Sequence, residues 1–69
     1  MKVMRPAIDY NRIKNELVAN NITQRVLADK LDECEPTVNR KLNGKRQLYA
    51  WELIVIAQIT NRPVEFFLI

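Results

Sequence analysis

The sequence predicts an all-α domain: a compact bundle of five short helices built around one pair of helices joined by a tight corner. Three observations carry that reading. Apolar residues recur three and four apart in separate stretches: Tyr10, Ile13, Leu17 and Val18, then Val26, Leu27, Ala28 and Leu31, then Leu53, Ile56 and Ala57. Asp9 and Thr23, both good helix N-caps, stand just before the first two stretches. Pro36 and Asn43-Gly44 bracket a short segment between them, with proline where a helix starts and glycine where it stops.

In chain order, Met1–Ala7 has no periodicity and Pro6 opposes a helix, so residues 1–8 are read as a loose N-terminal arm and 9–69 as a single domain. The first helix follows Asp9 and ends at Asn20-Asn21, and Ile22 packs before the next element. The second runs over roughly 23–31 from its Thr23 cap. Asp32, Glu33 and Cys34 break the apolar rhythm and form the corner. The third helix begins at Pro36 and closes at Asn43-Gly44. Val38 and Leu42 lie on its inner face, while Thr37, Asn39, Arg40 and Lys41 are expected to face elsewhere. A loop over 45–48 leads to a fourth helix, Tyr49 to Thr60, with Leu53, Ile56 and Ala57 on its core face. Asn61-Arg62-Pro63 is a turn, and Val64 to Leu68 a last short helix.

Composition narrows the function. Sixty-nine residues make one small core. With no histidine and one cysteine, the chain offers no internal disulfide, no zinc set and no histidine-based catalytic group. A single glycine provides no phosphate-cradling loop. No long apolar region marks a signal peptide or a membrane span, so a reduced cytoplasmic setting is expected, without metal, cofactor or enzymatic chemistry. The net charge is only +3, but it is unevenly placed. Arg40, Lys41, Lys45 and Arg46 face a single acid, Glu35, within residues 35–46. A solvated surface explains such a cluster as readily as a nucleic-acid partner; its position on the third helix favours the phosphate backbone.

The run I-T-Q-x-x-L-A-x-K-L, then T-V-x-x-x-x-N-G-K, resembles the helix-turn-helix of the Cro/repressor family of phage and bacterial regulators. The matching positions are Thr23, Gln24, Leu27, Ala28, Leu31, Thr37, Val38, Asn43, Gly44 and Lys45. Ile56-Ala57 resembles the family's fourth helix and Pro63–Leu68 its fifth, so the likeness covers about residues 10–68. It implies a lambda-repressor-like fold and a dimer on double-stranded operator DNA, with half-sites about 34 Å apart. By that resemblance Glu35, Pro36, Asn39 and Arg40 stand at base-contacting positions. Arg40 would read a guanine through O6 and N7, and Asn39 an adenine. Thr23, Gln24, Asn43, Lys45 and Arg46 would hold phosphates; Thr37 would do so or help cap its helix. Gln24 and Asn43 also read plainly as capping or surface groups. No small-molecule effector is implied.

Departures from the family pattern matter too. Where members often pair an arginine on the first helix with a glutamate on the third, this chain has Leu17 and Leu42, which are therefore expected to touch. Aspartate (Asp32) replaces the usual corner glycine and must accept the same backbone. Pro36 can donate nothing to a base, and Asp32, Glu33 and Glu35 bring carboxylates near the phosphate path, weakening affinity.

The fourth helix is too apolar for one buried face. Trp51, Val55 and Ile59 form a second stripe with Ile54 beside it, either covering the core or joining Phe66, Phe67, Leu68 and Ile69 in a protein interface. That interface serves a homodimer, or else a repressor protein that this chain modulates as an antirepressor.

Overall fold

The computed structural model describes residues 7–69. Four α-helices follow one another: α1 (Tyr10–Ala19), α2 (Gln24–Leu31), α3 (Glu35–Leu42) and α4 (Ala50–Thr60), then a single 3-10 turn, Val64–Phe67. Each start and stop has a local cause. The Asp9 carboxylate accepts from Arg12 N at 3.1 Å and the Thr23 hydroxyl from Val26 N at 3.2 Å, satisfying donors that the first turns of α1 and α2 leave open. At the start of α4 the Glu52 carboxylate reaches back to Tyr49 N at 2.9 Å. α2 and α4 end on left-handed residues, Asp32 (φ 55°) and Asn61 (φ 57°), and Asn21 (φ 57°) breaks the chain after α1. Short polar side chains are the ones that tolerate this backbone outside glycine. After α3 the turn falls on Gly44 (φ 72°), where an added Cβ would also meet the Tyr10 ring at 3.4 Å.

α3 begins one residue earlier than expected, at Glu35, so Pro36 is its second residue. Its missing N–H is still harmless, because that position too lacks an intrahelical acceptor. The fifth helix is a larger correction. Leu68 is already extended and bridges Ile8 in antiparallel fashion, which leaves four residues after Pro63, too few for an α-helix. Asp9 N donates to Phe67 O and Ile69 N to Ala7 O, both at 2.8 Å, so Ala7 and Ile8 are tied to the end of the chain. The first six positions of the expected arm lie outside the described residues.

The core is assembled from every element: Ile13 and Leu17 of α1, Leu27, Ala28 and Leu31 of α2, Val38 and Leu42 of α3, Leu53, Ile56 and Ala57 of α4, with Leu48 and Phe67. Leu17 and Leu42 are both buried and line the same small cleft. No described helix is long and apolar enough to cross a membrane. The Thr23 cap yields a measurable expectation. Thr23→Ala should lower stability by about 1 kcal/mol in urea denaturation, with an unchanged denaturant slope.

Candidate functional site

α2 and α3 meet across the three-residue corner Asp32–Cys34, and their outer edges form one polar surface. The corner holds its shape because Asp32 takes the left-handed turn and Glu33 N returns to Ala28 O at 2.9 Å. From this surface Asn39, Arg40, Asn43, Lys45 and Arg46 are exposed, with Glu35 and Pro36 at the start of α3 and Gln24, half-buried, at the start of α2. Asn39 Nδ2 donates to Gln24 Oε1 at 3.2 Å, joining α3 to α2. Asn43 Nδ2 donates to Asn39 O at 2.8 Å, and its Oδ1 accepts from Lys14 Nζ of α1, also at 2.8 Å.

Two residues expected to face outward do not. Thr37 is buried, and its hydroxyl lies 3.1 Å from Cys34 Sγ, turned back on the first turn of its own helix. The hydroxyl and N–H of Thr37 in turn hold the Cys34 thiol below its ordinary pKa. Thr23, for its part, spends its hydroxyl on the α2 cap.

Lys41 is the more consequential correction. Its side chain is 3% exposed and its ammonium sits between two carboxylates, Glu33 Oε1 at 2.8 Å and Glu52 Oε2 at 2.5 Å. Glu52 is completely buried, and its other oxygen is the one that caps α4. The Tyr49 ring covers the ammonium at 5.4 Å. Burial pushes the Lys41 pKa down, but the hydrogen bonds to Glu33 and Glu52 outweigh it and hold it above 10.5. This network locks α3 to α4, and it redraws the surface charge. Lys41 leaves the outward basic cluster, while Glu33, still partly exposed, shares that ammonium with Glu52. Arg40, Lys45 and Arg46 then face Asp32 and Glu35.

The expected apolar stripe divides. Trp51 and Ile54 stand open on the outer side of α4, at 51% and 46% exposure, and Ile69 is open at the chain end. Val55 and Ile59 are half-buried against the core. Leu68 is held by Ile8, and Phe67 is fully buried. The Phe66 ring lies beneath two guanidiniums, Arg12 at 4.9 Å and Arg62 at 4.6 Å. Arg12 also donates to Phe66 O at 3.0 Å and Arg62 pairs with Glu16 at 3.1 Å, so Phe66 belongs to a local polar clamp. Among the described residues, no group of three or more His, Cys, Asp or Glu is placed to hold a metal ion.

No protein-family model matches the chain, and no curated protein or solved structure is significantly similar to it. The function must therefore be argued from the surface itself.

Residues that the sequence did not single out for this surface are Lys14, which reaches Asn43 from α1, and the Lys41–Glu33–Glu52 network. Lys41 did carry a signal: it lies three residues after Val38 and directly before Leu42, on the buried stripe of α3. Nothing in the spacing marks Lys14.

Proposed function

We propose that this protein is a sequence-specific DNA-binding transcriptional regulator of the Cro/repressor type, acting as a dimer on double-stranded operator DNA in the cytoplasm. On this reading α2 and α3 form a helix-turn-helix whose second helix enters the major groove. The observation that supports it most is the outer edge of α3, where Asn39, Arg40 and Asn43 are exposed, with Lys45 and Arg46 just beyond and Gln24 alongside. The exposed Arg40 side chain makes no hydrogen bond or ion pair among the described residues, so its five donors stay available for a guanine edge. Asn39 faces an adenine, while Gln24, Lys45 and Arg46 hold phosphates that fix the register. Glu33, one of the three carboxylates counted against affinity, is paired with the Lys41 ammonium that it shares with Glu52.

Lys45 and Arg46 give the direct test. Lys45→Ala and Arg46→Ala should weaken binding almost equally on every duplex, and each should reduce the slope of log K against log salt by about 2, because the dimer carries two copies of each side chain. Variants that keep the full slope would exclude a phosphate role for these side chains.

A second reading is supported by a separate observation, the open Trp51 and Ile54 on a helix that is apolar nearly all round. In the first reading a second copy of the chain covers that face. In the second a repressor protein covers it, and the chain acts as an antirepressor. Light scattering separates them: a dimer that binds DNA supports the regulator, and a monomer that ignores DNA at low salt supports the modulator.

A further inference from the structure

A continuous chain of four polar side chains crosses the surface of α1, α3 and α2. Lys14 Nζ donates to Asn43 Oδ1 at 2.8 Å. Asn43 Nδ2 donates to the Asn39 main-chain carbonyl at 2.8 Å and to Asn39 Oδ1 at 3.3 Å. Asn39 Nδ2 donates to Gln24 Oε1 at 3.2 Å.

The chemistry of the groups gives this chain a direction. A carboxamide is nearly symmetric in shape, yet one end only accepts and the other only donates. Left alone, each amide could sit either way round. Here the first amide is fixed by two groups that have no choice. An ammonium only donates, so Lys14 must face the oxygen of Asn43. A peptide carbonyl only accepts, so Asn39 O must face the nitrogen of Asn43. That nitrogen then selects the oxygen of Asn39, which turns the nitrogen of Asn39 toward the oxygen of Gln24. The last amide ends with its donor side unclaimed by any described residue, at the first position of α2.

We propose that this relay is a specificity device, resting on the DNA-binding reading above. Lys14 and Asn43 act as positioning residues that hold the Asn39 amide in one orientation. Its second N–H and its remaining lone pair are then set together for adenine, which accepts at N7 and donates from N6. The same chain leaves Gln24 with N–H groups for a phosphate oxygen, where a carbonyl would be repelled. Three polar side chains are thus ordered on folding, before DNA arrives, and binding does not bear that ordering cost. Asn43, which by family resemblance would hold a phosphate, here sets its neighbours instead.

Two measurements test the relay. In free protein, the side-chain amide resonances of Asn43, Asn39 and Gln24 should shift together in Lys14→Met; resonances beyond Asn43 that stay in place would overturn it. With DNA, a randomised duplex pool is first used to select the wild-type site. On that site Asn39→Ala should erase the adenine preference at one base pair. Lys14→Met and Asn43→Ala should each reduce it by about tenfold. Lys14→Arg, also purely a donor, should keep it. The residues lie at the surface, and circular dichroism confirms that each variant is folded. Affinity that falls uniformly, with the adenine preference intact in both Lys14→Met and Asn43→Ala, would reduce the relay to scaffolding and overturn the inference. A wild type that selects no duplex ends the DNA-binding reading itself, and this inference with it. A wild type that selects a site, with variants unchanged in preference, ends the relay alone.

Discussion

Lys41→Ala is expected to unfold most of the protein at neutral pH. The substitution leaves Glu52 as a fully buried carboxylate without its cation, at the junction of α3 and α4. Removing one partner of a buried ion pair costs about 3–5 kcal/mol. A domain of this length has a total stability of only about 3–10 kcal/mol. The double variant Lys41→Met with Glu52→Leu should behave differently, because it removes both buried charges and returns apolar volume. Its urea midpoint should fall only by the equivalent of the lost α4 cap, about 1 kcal/mol, while Lys41→Ala loses most of its transition. The pair of results distinguishes a buried charge in need of a partner from simple loss of packing.

The same network sets an alkaline limit. The Lys41 pKa is held above its ordinary 10.5 in the folded chain, so folding favours the protonated ammonium. The stabilisation is complete below the unfolded value of 10.5 and is lost as pH rises through the higher folded value. Urea midpoints of the wild type should therefore fall more steeply above pH 10.5 than those of the double variant, which has no Lys41 to deprotonate. Equal slopes would show that Lys41 contributes nothing to the alkaline transition.

Trp51→Glu has the largest expected effect on assembly. Trp51 is half-exposed on the outer side of α4, so a glutamate there should leave the helical content, and the urea midpoint at dilutions where the wild type is monomeric, nearly unchanged. On the proposed reading this side chain anchors the second copy. A tryptophan at the centre of an interface is worth about 2 kcal/mol or more, and a buried unpaired carboxylate adds to the loss. Dimerisation should weaken at least about thirtyfold, which light scattering across a dilution series would show. Operator affinity should fall with it, because two half-sites are then bound separately. An undiminished dimer would move the interface to another face.

The helices were legible where cap and period agreed. Asp9, Thr23 and Asn61 are decisive local signals, and α1, α2 and α4 fall within a residue of their expected limits. The end of the chain was not, because Val64–Leu68 is an apolar run whose conformation is decided by Leu68 pairing with Ile8, sixty residues away. Lys41 was misplaced for a different reason. Its spacing put it on the inner stripe, but its charge argued for solvent, and its two carboxylates come from a corner and from the next helix. The polar surface was legible in its members and not in its wiring. Gln24, Asn39, Arg40 and Asn43 stand on one surface as expected, whereas the bond from Lys14 to Asn43 spans 29 positions and leaves no trace in local pattern. Phe66 shows the converse, an apolar residue assigned to an interface that two arginines claim first.

Salt dependence of DNA binding tests the central claim most directly. Fluorescence anisotropy of the full chain on a duplex selected from a randomised pool would be followed as salt is raised, with a scrambled duplex of equal length beside it. Lys45 and Arg46 from each of two protomers give a slope of log K against log salt of about −4, with the selected duplex bound more tightly at every salt concentration. Binding that is absent at low salt, or equal on the two duplexes, would contradict the account and turn attention to a protein partner at Trp51.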